Sequence, residues 1–230
     1  MSVLDKRSLA YYFEANANDS VGSSHGVSTN VNFVAGAGKV GNGAEFPGTS
    51  SVIKNTTFAL PTSEITIAMW LKTSDITTAK ELFMIGADGI LDSNSARYMQ
   101  FRLELPAGSN RQVGYIQFIG GTLSQIYSSG LNLTDNAYHL FIARCKSGTQ
   151  SLRIDNVNRG TDNKTGSMPS RTGFAIGDIS ENPSLHWQVP ANYDMLYIFN
   201  EYLTDSECDE LWNGGAGLVP GGIANHGFFF

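Results

Sequence analysis

Glycan stacking needs an aromatic ring on a loop, with a polar neighbour to fix the sugar hydroxyls. Trp187 and His186 lie together in an irregular stretch, Ser184–Asn192, with Tyr193 directly after it, and Tyr98 stands beside a similar loop. Those four are the candidate ligand-binding residues for neutral glycans. Packing inside the fold or at a subunit contact is the competing role for each. Trp70 and Trp212, by contrast, fall in regular segments and belong to the core. Cleaving a glycosidic bond needs two carboxylates placed on either side of it. Glu14, Glu64, Glu81, Glu104 and Glu181 stand singly, with no E-x-D-x-x-E run. The four histidines form no H-E-x-x-H, and there is no Gly-x-Ser-x-Gly elbow and no phosphate loop. The chain is therefore expected not to be an enzyme.

The elements that must position these residues are strands. Ile65 to Lys72 alternates, with Ile65, Ile67, Met69 and Leu71 on one face and Thr66, Ala68, Trp70 and Lys72 on the other. Similar short stretches follow at 9–14, 43–46, 81–85, 98–105, 113–119, 123–128, 138–145, 152–155, 174–179 and 194–199, separated by Gly, Asn, Ser or Pro. Leu140, Ile142, Leu196 and Ile198 join the expected core. One helix is expected at Asp205–Asn213, opened by the capping box Thr204-Asp-Ser-Glu207 and stopped by Gly214-Gly215. About a dozen strands and one helix make an all-β, two-sheet antiparallel sandwich.

Composition agrees. The 230 residues include 25 Gly, 23 Ser, 18 Asn and 16 Thr, which suit turns. With 15 Lys and Arg against 21 Asp and Glu, the net charge of −6 offers no footprint for a nucleic-acid backbone. No apolar run approaches the roughly 20 residues of a membrane-crossing helix, so no membrane insertion is expected. The start, Met1 to Ala10, lacks the apolar core of a secretory leader, which suggests synthesis in the cytoplasm. Cys145 and Cys208 are expected to be free, buried thiols.

The order of the pieces resembles the laminin G-like, concanavalin A-like lectin jelly rolls. Leu9-Ala-Tyr-Tyr-Phe-Glu-Ala-Asn-Ala-Asn-Asp19-Ser-Val-Gly resembles their first strand and turn, and Gly38-Lys-Val-Gly-Asn-Gly-Ala-Glu-Phe46 their G-K-x-G-x-A-x-x-F segment. Ile65–Leu71, Ala137-Tyr-His139-Leu, Leu152-Arg-Ile-Asp155, Phe174-Ala-Ile-Gly177 and Tyr193-Asp194 through Gly215 follow in the family's order. The resemblance runs over about residues 9–217. It implies a jelly roll at residues 1–217 followed by a Gly-rich aromatic tail at 218–230. It also implies a calcium ion between the first turn and the last strand, with Asp19 and Asp194 as the matching carboxylates. Pro47, Met195 and Asn156 depart from the family's Asp, Asp and Gly.

These readings give a non-catalytic structural or adhesion protein. The expected setting is a bacteriophage virion surface, as a capsid decoration or tail protein that meets host glycans, with other virion proteins or copies of itself as partners. A free-standing extracellular lectin is the alternative, and a polysaccharide-degrading enzyme the third. Phe228, Phe229 and Phe230, on a Gly-rich arm, are the expected assembly anchor, with folding back over one end of the sandwich as the alternative.

Overall fold

The computed structural model describes residues 1–48, 50–74, 80–85, 99–104, 112–128, 130–177 and 190–220. Its strands are β1 (Arg7–Tyr11), β2 (Val27–Thr29), β3 (Asn32–Val34), β4 (Gly43–Phe46), β5 (Val52–Ala59), β6 (Glu64–Lys72), β7 (Lys80–Ile85) and β8 (Met99–Glu104). They continue with β9 (Gln112–Ile119), β10 (Thr122–Ser128), β11 (Tyr138–Lys146), β12 (Thr149–Ile154), β13 (Val157–Asp162), β14 (Thr172–Gly177) and β15 (Ala191–Phe199). One sheet runs β13-β12-β11-β6-β15-β4-β3, with β1 also on β15; the other runs β10-β9-β8-β7-β14-β5-β2. Every pairing is antiparallel, as a jelly-roll sandwich requires.

The inner core lies between the sheets. Ile65, Ile67, Met69, Leu71, Leu196 and Ile198 enter it as expected, against Phe83, Tyr115, Phe174 and Ile176 of the facing sheet. Leu140 and Ile142 are buried, but on the outer face of the eight-stranded sheet. In β11 it is Phe141, Ala143 and Cys145 that point inward, because Phe141 pairs with the inward Met69 of β6.

That outer face is itself apolar, and terminal segments cover it. Ala10, Tyr12, Ala68, Trp70, Tyr197 and Phe199 pack under Val3, Leu4, Leu203, Cys208 and Leu211. The α-helix α1 spans Asp205–Trp212 and carries the expected capping box, with Asn213 ending it in the left-handed region. Its Trp212 stacks on Trp70, ring centroids 5.4 Å apart. Buried Arg144 and Arg153 rise from the sheet to meet Asp205 at 2.7 and 2.9 Å. The N-terminal 3-10 turn, Val3–Lys6, joins this layer, since Ser2 Oγ and the Val3 N–H both donate to Glu210 Oε1. Leu218 and Val219 pack on the same layer, and Tyr197 OH donates to the Leu218 carbonyl. Cys145 and Cys208 are free and buried on opposite faces of the sheet.

β2, β3, β5 and β13 were not foreseen. β5 lacks alternation because Asn55 turns inward to hold Tyr11 OH and the Ser24 carbonyl. Its register with β14 shifts nearby, between Thr172 and Phe174.

Candidate functional site

The seven-stranded sheet is built differently at its β10 end. Tyr115, Gln117 and Ile119 of β9 and Ser124, Ile126 and Ser128 of β10 are buried between the sheets. Period two then turns Leu123, Gln125 and Tyr127 outward. Leu123 is 36% and Tyr127 38% exposed, and Gln125 is exposed between them. Leu123 stands opposite Phe118, Gln125 opposite Ile116, and Tyr127 opposite Gly114, which has no side chain to flank the phenol ring. Ser124 Oγ, facing the other way, donates to Asp162 Oδ2 at 2.8 Å and ties β10 to β13.

β10 thus departs from the usual alternation: Leu123 and Tyr127 face solvent, while Ser124 and Ser128 flank Ile126 on the core face. Ring, amide and aliphatic chain recur at about 6.8 Å along one strand face. The ring and Leu123 can take the C–H face of a sugar, while Gln125 offers both donor and acceptor to its hydroxyls. Sequence reasoning passed over this patch, although the run Leu-Ser-Gln-Ile-Tyr-Ser carries the signal.

Tyr98, His186 and Trp187, and the anchor Phe228, Phe229 and Phe230, lie outside the described residues. Tyr193 is a correction: it is fully buried, its ring 4.5 Å from that of Phe46, centroid to centroid. It pairs with inward-facing Leu71 on β6, so alternation places it in the core, with no ring face for a sugar. Burial pushes its hydroxyl pKa well above the ordinary tyrosine value.

Asp19 and Asp194 each close a different piece of backbone. β15 pairs with β4 through Tyr193 and with β1 from Leu196 onward. Asp194 and Met195 fall in the gap between those two partners, where Met195 takes φ +46. There the fully buried Asp194 carboxylate accepts from Val40 N–H at 3.0 Å and Met195 N–H at 2.8 Å. Burial pushes its pKa to about 8, against the pull of those N–H groups, and nearby Glu14 adds to the rise. Asp19 accepts from the N–H groups of Ala10 (3.2 Å), Val21 (3.0 Å) and Ser24 (3.2 Å), closing its own turn onto β1.

Calcium takes six to eight oxygens. The carboxylate oxygens of both acids are turned to backbone donors, and the acid acting on Asp194 is Glu14. Among the described residues no three His, Cys, Asp or Glu side chains come together. Asp19 and Asp194 therefore do not fit a shared calcium site; each has the local role of satisfying loop amides.

Residues 46–208 match the family model of the concanavalin A-like lectin/glucanases superfamily. The chain belongs to that superfamily. Among curated proteins none is detectably similar in sequence. Of solved structures, the binding domain of Paraclostridial Mosquitocidal Protein 1 is similar at a TM-score of 0.71 and 14% identity, over 93% of this chain and 53% of that one. The receptor binding domain of botulinum neurotoxin D gives 0.68 and 11%, over 93% and 54%. The serotype D ligand binding domain in complex with N-acetylneuraminic acid gives 0.68 and 11%, over 91% and 51%. The chain thus spans about half of each of these solved chains and shares its fold. No helix among the described residues is long and apolar enough to cross a membrane.

Proposed function

We propose that this protein is a non-catalytic, lectin-like binding module that takes glycans on the outer face of β10. The observation that carries the reading is the solvent-facing series Leu123, Gln125, Tyr127, apolar bulk on a face that alternation would otherwise make polar. Such bulk costs solubility unless a ligand uses it. A solved relative in complex with N-acetylneuraminic acid supports a glycan as that ligand. Two glutamates are already engaged structurally: Glu14 Oε2 accepts from Asn42 N–H and Glu64 Oε2 from Tyr202 N–H, both at 3.1 Å. This supports binding rather than hydrolysis. As its setting we propose a bacteriophage virion surface, as a decoration or tail protein, where a hydrogen-bonding exterior with only 16% charged residues meets host glycans.

A glycan array on the purified chain tests the ligand. Retention of one glycan class, lost in Tyr127→Ala, is the expected result. An array without retention overturns the glycan reading, and release of reducing sugar from a retained polysaccharide overturns the non-catalytic one. Mass spectrometry of purified particles tests the setting, and absence of the chain from them removes the virion.

A further inference from the structure

Residues 130–137 lead from β10 into β11 and are held at several points. Leu133 is buried in the inner core. Asn136, at φ +62, donates its N–H to the Thr73 carbonyl at 3.3 Å. Asp135 Oδ1 accepts from Ala137 N–H at 2.8 Å. His139, half-buried near the start of β11, adds a further hold. Its Nδ1 lies 2.6 Å from Asp155 Oδ2, and its Nε2 lies 3.1 Å from Asp135 Oδ1.

The Asp155 arm is rigid. Asp155 and Asn156 take φ +50 and +61 in the two-residue turn between β12 and β13, as a type I′ hairpin requires. Asp155 Oδ1 also accepts from Leu140 N–H at 3.0 Å. The Asp135 arm is looser: its contact is longer and its side chain is 37% exposed. A neutral imidazole carries one N–H and can donate to one carboxylate, leaving its other lone pair facing the second. Holding both requires the imidazolium.

We propose that His139 is a proton-operated latch: protonated, it ties loop 130–137 to the β12–β13 turn, and deprotonated, it keeps Asp155 and releases Asp135. The charged groups that face it are Asp135 from the loop and Asp155 from the turn. On β6 the neighbouring charge is Lys72, whose Nζ lies over the Tyr138 ring. Burial alone would lower the pKa of His139, but the hydrogen bond and charge of Asp155, joined by those of Asp135, outweigh it and raise it above the ordinary histidine value.

The test needs no ligand. NMR titration of the wild-type His139 ring is expected to give a midpoint above the ordinary 6.5. Exchange of the Ala137 amide, corrected for its intrinsic pH dependence, is expected to speed up about tenfold across the same midpoint as the loop opens. In Asp135→Asn the midpoint falls and the step disappears. A midpoint at or below the ordinary value, or Ala137 exchange without a step, overturns the latch. Neither outcome depends on a glycan array, and an empty array leaves the latch standing.

Discussion

The two sheets treat their outer faces in opposite ways. On the eight-stranded sheet the outer face carries a second apolar cluster, in which Trp70, Ala68 and Tyr197 are buried under the N-terminal turn and α1. At the β10 edge of the seven-stranded sheet, Leu123 and Tyr127 stay in contact with solvent. One aromatic face is closed off by other segments of the chain, and on the other Tyr127 keeps 38% of its surface in solvent. The first contributes stability, and the second is where we propose that a ligand binds.

Truncating an aromatic on each face should break that contrast most clearly. Trp70→Ala removes the partner of Trp212 from a closed layer and is expected to cost about 3–5 kcal/mol, measured by denaturant unfolding. A loss below about 1 kcal/mol would mean that the layer is not packed as described. Asp194→Ala comes next, since it leaves the Val40 and Met195 N–H groups buried without an acceptor. The expected cost is about 1–3 kcal/mol for each orphaned donor. Tyr127→Ala should shift stability by no more than about 0.5 kcal/mol, as for an exposed site. The same change should weaken glycan binding by about tenfold or more, as truncation of a central aromatic contact does. Equal effects of Trp70→Ala and Tyr127→Ala on stability would erase the distinction.

Smaller effects sharpen it. Because the pKa of His139 is raised in the folded state, its contribution is complete below the unfolded value of 6.5 and is lost as pH rises through the folded one. Asp135 works with the opposite sign. The Ala137 N–H, and then the hydrogen bond and charge of His139, hold its pKa below the ordinary 3.8 despite partial burial. Its contribution is present above that value and lost as pH falls through the depressed one. The pH-dependent part of the difference between wild type and His139→Phe should therefore be largest between about 3.8 and 6.5, and shrink as pH rises through the raised value of His139 or falls through the depressed one of Asp135, while the contact of the neutral ring with Asp155 remains at high pH. Least of all, added calcium should leave the melting temperature where chelator leaves it, because binding to the folded state alone would raise it.

Much of the fold was legible in the sequence. Alternation in Ile65–Lys72 and in the closing strand placed six of the eight expected core residues on the inner face. The capping box at Thr204–Glu207 located the helix to within one residue. Leu140 and Ile142 are buried as expected, but the sequence did not say on which face of the sheet. A strand apolar on both faces carries no phase, and only its pairing with β6 supplies one. β13, with the sequence Val-Asn-Arg-Gly-Thr-Asp, has no apolar alternation to detect. The site was harder: Tyr193 follows a loop in sequence yet points into the core, and Tyr127 lies mid-strand yet points out.

By itself, the sequence determined the sandwich and its helix, because each of these rests on residues close together along the chain, whereas Asp194 closes onto Val40 N–H from a distant strand. Which apolar faces are covered was decided by tertiary structure. The cover of Trp70 comes from residues 3–4 and 203–212, and Asp155 reaches His139 across a hairpin. A side chain's exposure depends on what distant segments lay over it, and local pattern carries no record of that.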